Sequence, residues 1–308
     1  MGRYVIRRLI QAIPVLLGAT LLIFAIVFAL PGDPIAALAG EKRQYPGVVE
    51  VLREKYHLND PLIVQYWHYI SGVVFRFDFG TTYQDVPVLD LMKATFGTTL
   101  QLAMTALVLE AIIGIGLGLW AALRRGKAAD TMILASTLLL ISVPTLVSGF
   151  VLQLLLGVEL RIFPIAGTSE GWISFILPGF VLAGTSIAYL TRLTRTSLVE
   201  TLRADYIRTA TAKGLSRRRV IGRHGLRNAL IPLITYLGAD LGNLMGGAII
   251  TEGIFNINGV GLLLFRGVYE RQQPIVVGVV TALVLVYILA NLVVDMLYAV
   301  LDPRIRYE

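Results

Sequence analysis

The chain contains no cysteine, which removes disulfides and thiolate-held metals and leaves the redox compartment unread. Histidine is nearly as scarce. The three present, His57, His68 and His224, have no metal-ligand spacing, so no metal site is expected. No G-x-x-x-x-G-K-[ST] phosphate loop occurs, so the chain is not expected to hydrolyse ATP. Neither H-E-x-x-H nor G-x-S-x-G is found, and no catalytic residue is assigned. Charge is also sparse. Asp, Glu, Lys and Arg make up 15% of the 308 residues, against about 25% in a soluble domain.

What replaces charge is apolar sequence: 56% of the residues are hydrophobic, gathered in runs near the roughly 20 residues that cross a bilayer. The pattern predicts an all-α polytopic membrane protein with six spans, at about 9–30, 98–123, 131–156, 172–190, 229–250 and 274–298, forming one domain. Arg3, Arg7 and Arg8 precede the first run, and Ala37-Leu38-Ala39 resembles a signal cleavage site. At about 22 residues the run exceeds the usual 7–15-residue signal core, so an uncleaved span is expected. Pro144 predicts a kink in the third span.

The stretch 31–96 between the first two spans is polar but patterned. Pro31-Gly32-Asp33-Pro34 stops the first helix. Val48, Val49, Leu52 and Tyr56 recur at helical spacing. Asn59-Asp60-Pro61 is expected to cap a second helix running through Ile63, Tyr66, Trp67 and Ile70. Its aromatics, with Tyr69, suit either a membrane–water interface or packing within a small extracytoplasmic subdomain.

Net charge is +7, and its distribution points to membrane topology rather than to nucleic acid. Segments 1–8, 124–130, 192–228 and 295–308 carry 18 Lys and Arg, whereas the alternate loops carry 9, outnumbered by 12 acids. The excess of cations in cytoplasmic loops then places both termini inside the cell, together with the block 192–228.

That 37-residue block, RLTRTSLVETLRADYIRTATAKGLSRRRVIGRHGLRN, is the longest polar stretch in the second half of the chain. Helix formers run from Thr201 to Lys213, and Gly214 stands just past the end. Ser216 is placed to cap a second helix beginning Arg217-Arg218-Arg219. Three arginines in a first turn oppose the helix dipole, so they are expected to face anionic lipid headgroups or a partner's carboxylates. By composition alone the block reads equally well as an ordinary basic loop or as a docking element.

The order of its residues decides between them. Asp205-Tyr206-Ile207-Arg208-Thr209-Ala210-Thr211-Ala212-Lys213-Gly214-Leu215, then Arg223-His224 and Leu226-Arg227-Asn228-Ala229-Leu230-Ile231-Pro232, closely resembles the cytoplasmic loop of ABC importer permeases, the peptide/nickel branch above all. Pro31-Gly32-Asp33-Pro34, Asp78-Phe79-Gly80, Ala121-Ala122-Leu123-Arg124-Arg125-Gly126, Ser142-Val143-Pro144, Arg192-Leu193-Thr194-Arg195 and Asp302-Pro303-Arg304 match that branch in the same order.

The resemblance implies the type I permease fold, with a helical extracytoplasmic insert between spans 1 and 2 that marks the first-type permease. It also implies a coupling helix at Ala204–Lys213, seated in a cleft of the ATP-hydrolysing subunit, with Ala204, Asp205, Tyr206, Arg208, Thr209, Ala210, Lys213, Gly214 and Leu215 as contact residues. Arg208 and Thr209 stand where the general permease pattern has glutamate and alanine, and the gap from Gly214 to Pro232 is longer than in sugar permeases. Implied partners are a second permease, two ATP-binding subunits that hold ATP and magnesium, an extracytoplasmic binding protein and membrane lipid. The implied cargo is a di- or oligopeptide, with nickel or another small solute as the alternative, carried across a bacterial or archaeal cytoplasmic membrane. A secondary transporter or membrane enzyme is the distant alternative, and it would need an ion site or a catalytic constellation in the spans.

Within the spans, Glu110, Asp240 and Asn243 are candidates to line a translocation path, or else to bond between helices. Gly114 and Gly118, and Gly238, Gly242 and Gly246, repeat every fourth residue and are expected to permit close helix contact. Asn291 and Asp295 read as structural.

Overall fold

The computed structural model describes residues 2–29, 50, 54, 59–82 and 84–301, and over these it is helical without a named strand. Its elements are α1 (Gly2–Ala29), α2 (Leu62–Arg76), α3 (Val88–Leu123), α4 (Ala128–Ser142), α5 (Thr145–Leu152), the π-helix π1 (Gln153–Glu159) and α6 (Ile173–Thr201). There follow α7 (Asp205–Ala212), α8 (Arg217–Arg219), the π-helix π2 (Val220–Leu226), α9 (Arg227–Phe255), α10 (Val260–Tyr269) and α11 (Gln273–Leu301). Among the described residues, five helices are long and apolar enough to cross a membrane, and the bent pair α4 and α5–π1 raises the number to six if it counts as one span. Side chains such as Ile112, Met132 and Leu139 are about 70% exposed along these helices (67%, 70% and 70%). That suits lipid or a partner helix rather than water.

The chain divides into two compact units, Met1–Thr99 with Asn258–Glu308, and Leu100–Ile257. In the first, α1 packs along α11, and α2 leans on α1. The helix expected through Ile63, Tyr66, Trp67 and Ile70 forms, and its buried face is Tyr66, Ile70 and Val73, while Ile63 and Trp67 are exposed. The Tyr66 hydroxyl donates to the Leu17 carbonyl at 3.1 Å and lies 2.9 Å from Thr20 Oγ1. Tyr69 donates to the Val277 carbonyl at 3.3 Å. Burial pushes the Tyr69 hydroxyl above the ordinary phenol range, so it remains a neutral donor. These two aromatics pack within the unit, whereas Trp67 stays on the surface.

Pro61 is itself the cap of α2 rather than its first helical residue, and no side chain caps the helix. Asp78-Phe79-Gly80 forms the turn that seats α11. Asp78 Oδ1 accepts from the Gly80 amide at 2.9 Å, and Gly80 takes φ +93°. A Cβ on Gly278 would lie 2.6 Å from the Phe79 carbonyl, so the helix can approach the turn only with glycine there. Pro31–Pro34, the helical spacing at 48–56, His57, the Asp295 side chain and Asp302-Pro303-Arg304 lie outside the described residues.

The second unit is a helical bundle in which α6 is the most buried span and packs against α4, α5 and α9. Gly114 and Gly118 bring α3 onto α6: a Cβ would stand 3.0 Å from Leu190 at the first and 2.4 Å from the Thr194 Cβ at the second. At Gly246 the same test meets nothing within 4 Å, so that glycine makes no close helix contact among the described residues. The kink expected at Pro144 is a full break, with a bend of 100° between α4 and α5–π1. Pro144, the cap residue of α5, withholds an amide and keeps Val143 extended, which ends α4. Beyond the break, Gly149 lies against Ile254 at the end of α9, where a Cβ would meet that side chain at 2.7 Å.

Candidate coupling site

Span α6 runs on to Thr201, eleven residues past the expected end near Leu190, and delivers the chain to a short turn at 202–204. Helix α7 begins after Ala204, whose extended backbone (φ −66°, ψ 150°) makes it the cap. Asp205 in the first turn complements the positive end of the helix dipole. The eight residues split cleanly by face. Ile207 and Ala210 are buried against Val220, with Leu215 packed beside them. Asp205, Tyr206, Arg208 and Thr209 point outward, as does Lys213 after the helix.

The end of α7 is a Schellman motif. The Gly214 amide donates to the Thr211 carbonyl at 3.0 Å, and the Leu215 amide reaches back to Ala210 at 3.3 Å. Gly214 takes φ +81°, a region that glycine enters without the Cβ clash of other residues. A Cβ at Gly214 would meet nothing within 4 Å, so its requirement is conformational and not a matter of space. Ser216 occupies the cap position of α8, but its hydroxyl makes no capping bond. The second arm of the loop is a continuous helical run, Arg217–Phe255, that includes π2 and continues into the membrane as α9. Arg217, Arg218 and Arg219 are all exposed at its start.

Three polar links, four hydrogen bonds in all, tie together this hairpin and the helices that carry it. Asn228 Nδ2 donates to the Tyr206 hydroxyl at 2.9 Å and joins α7 to the foot of α9. Ser197 Oγ donates to the Ala229 carbonyl at 3.0 Å, joining α6 to α9. Arg195 on α6 grips Asp130 on α4 with two nitrogens, at 2.5 and 2.7 Å. Asp130 and the Tyr206–Asn228 link are not legible as pairs from spacing. Asp130 shows only as an acid beside the Arg124-Arg125-Gly126-Lys127 run.

The candidates within the membrane fall together in the second unit. Glu110 is fully buried (0% exposed) and Asp240 nearly so at 4%. Asp240 is the carboxyl that faces Glu110. Asn243 Nδ2 donates to Asp240 Oδ1 at 3.1 Å, and among the described residues no N–H or hydroxyl donor reaches either Glu110 oxygen or Asp240 Oδ2. Tyr189 and Tyr236 stack nearby with centroids 4.6 Å apart. In this conformation Glu110 and Asp240 are enclosed among packed helices, whereas Asn243 is exposed at the surface of the unit. Gln153, unremarked in the sequence, bridges the Ile165 and Ile254 carbonyls at 2.8 and 3.2 Å. Among the described residues, no group of three or more His, Asp or Glu side chains is placed to hold a metal ion.

Comparison with known proteins brings in both halves of the chain. Residues 114–307 match the family described as binding-protein-dependent transport system inner membrane component, and residues 1–106 match its N-terminal companion. The glutathione transport system permease protein GsiC of Escherichia coli K12 is 40% identical over 309 residues, with all of both chains covered. GsiC of Salmonella typhimurium LT2 is 38% identical over the same coverage. Among solved structures, an inward-facing MetNI methionine ABC transporter superposes with a TM-score of 0.56 at 16% identity, covering 70% of this chain and 97% of that one. An amino acid ABC transporter crystallised with histidines gives 0.51 at 16%, covering 70% and 94%. At that identity these two speak for the fold alone.

Proposed function

Since the chain belongs to the family of binding-protein-dependent inner-membrane transport components, and is thereby a permease subunit of an ABC importer rather than an enzyme, we propose that it carries short peptides of the glutathione and dipeptide class. The observation that supports this cargo is the 40% identity to a glutathione permease along the entire chain, insert region included.

In this reading the chain pairs with a second, different permease, and two ATP-binding subunits hold ATP and magnesium below the pair. A binding protein delivers cargo from outside, and both termini lie in the cytoplasm, as the charge bias expects. The outward face of α7 (Asp205, Tyr206, Arg208, Thr209), with Lys213 after it, seats in an ATPase cleft. Ala204, Ala210, Gly214 and Leu215 hold that face in shape. ATP-driven closure of the ATPases moves α7. Tyr206–Asn228 and Ser197–Ala229 pass the movement to α9 and α6. Glu110 and Asp240 then reach the path only as helices separate, and Asn243, already exposed, lies beside them. ATP shifts the balance of two arrangements because it binds one of them better.

The test is uptake by proteoliposomes holding the complete complex and its binding protein. Labelled glutathione and dialanine should accumulate only with internal ATP and only with binding protein present. Accumulation of radiolabelled nickel in place of either peptide would assign the cargo to the alternative.

A further inference from the structure

Where π1 ends, the chain turns back through 160–171 toward α6 and leaves a cavity of about 420 Å³, within the 300–1,000 Å³ typical of small-ligand sites. Its lining includes Phe163, Pro164 and Ile165 as an apolar floor, with Arg161 and Glu170 as its two charges. The heads are of opposite sign, both residues are exposed, and neither forms an ion pair among the described residues.

The cavity wall is held rather than loose. Gln153 ties the Ile165 carbonyl to the end of α9, the Gly167 amide donates to the Phe255 carbonyl at 2.9 Å, and the Ile162 amide donates to Leu156 at 2.8 Å. Arg161 itself is held at φ +51°, a left-handed conformation that a side-chain-bearing residue rarely adopts. A backbone held in that conformation fixes where the arginine side chain leaves the loop. A π-helix leading into the loop is a further feature frequent at functional sites.

We propose that this cavity is a subsite for a short zwitterionic peptide, with Arg161 receiving its terminal carboxylate and Glu170 its terminal ammonium. The proposal rests on the peptide reading above and adds a place where released cargo is caught by both ends at the outer mouth of the permease. An extended dipeptide spans roughly 7 Å, which lets its two ends meet two charges that do not meet each other. The guanidinium offers a fork matched to a carboxylate, and the carboxylate of Glu170 accepts from an ammonium.

The experiment uses the complete permease–ATPase complex in nanodiscs without binding protein, and reads binding of dialanine, N-acetyl-dialanine and dialanine amide by saturation-transfer NMR. Dialanine should bind saturably, and Arg161→Gln and Glu170→Gln should each weaken it about tenfold, the scale of one charge-assisted hydrogen bond. The amide, lacking a carboxylate, should be insensitive to Arg161→Gln, and the N-acetyl compound insensitive to Glu170→Gln. Complex assembly, followed by size-exclusion chromatography, controls for folding.

Absence of dialanine binding, or equal loss for all three probes, overturns the subsite while leaving peptide uptake through the binding protein intact. Unchanged probe binding with weaker stimulation by the binding protein makes the cavity a protein contact, which also overturns it. If no peptide is taken up with binding protein present but the crossed pattern appears, the cargo reading fails and the subsite stands.

Discussion

Arg195 holds Asp130 from two sides: Nε and a terminal guanidinium nitrogen each donate to a different carboxylate oxygen, at 2.5 and 2.7 Å. The Gly126 amide donates to the same carboxylate at 2.9 Å, so one acid fixes the loop after α3, the start of α4 and the lower half of α6. Asp130 is 5% exposed and Arg195 23%, so solvent screens the pair only in part. Losing the fork should cost on the order of 2 kcal/mol. Lysine keeps the charge but offers a point where the arginine offers a plane. Arg195→Lys should therefore lower the thermal midpoint of the purified complex by several degrees, nearly as much as Arg195→Gln. A lysine variant that melts with the wild type would show that charge alone suffices.

Gly214 should fail on substitution for a different reason. Space around it is open, so the defect comes from φ +81° and not from a clash. Gly214→Val should insert and assemble normally yet lose substrate-stimulated ATP hydrolysis, because a β-branched residue disfavours the turn by about 1–2 kcal/mol or more. Gly214→Asn should retain an intermediate level, since asparagine tolerates the left-handed region better. Full stimulation in the valine variant would detach the turn from coupling.

Gly118 and Gly246 make a matched pair of tests for the small-residue spacing. An alanine methyl at Gly118 would stand 2.4 Å from the Thr194 Cβ and 2.6 Å from the Thr191 carbonyl, whereas at Gly246 it would meet nothing within 4 Å. Gly118→Ala should destabilise the second unit by about 1–3 kcal/mol, and Gly246→Ala, unclashed inside a helix, should leave stability no lower than wild type and raise it by up to about 1 kcal/mol. Both are read from the detergent-denaturation midpoint. Equal effects would mean that spacing, and not the contact, governs these positions.

The contrast shows what sequence could and could not carry. Apolar runs located the membrane helices because length and composition suffice for that. Gly214 was legible because a glycine after a helix has one common use. The buried face of α2 was not, because Ile63 and Trp67 fit helical spacing as well as Tyr66 and Ile70 do. The 100° break at Pro144 was legible in place but not in size, since proline removes a bond without setting the angle that packing chooses. Helix ends slipped at Val88 and Thr201, where helix continues beyond the apolar core of the span. Asp130–Arg195, Tyr206–Asn228 and the Arg161–Glu170 cavity join residues that only the fold brings together.

Glu110 and Asp240 separate a packing role from a transport role. Both carboxyls are enclosed by helices, and among the described residues no N–H or hydroxyl donor reaches either Glu110 oxygen or Asp240 Oδ2. Glutamine at 110 keeps the volume and supplies an amide donor toward the facing carboxyl, so Glu110→Gln should assemble at least as well as wild type. Asp240→Asn likewise keeps size and leaves a group able to bond Asn243. If these acids take part in opening the path, uptake should fall severalfold in both variants while thermal midpoints stay within about 1 °C, the shift that a few tenths of a kcal/mol would produce. Glu110→Ala, by contrast, opens a void and should lower stability and uptake together. Wild-type uptake by both conservative variants would return the pair to packing alone.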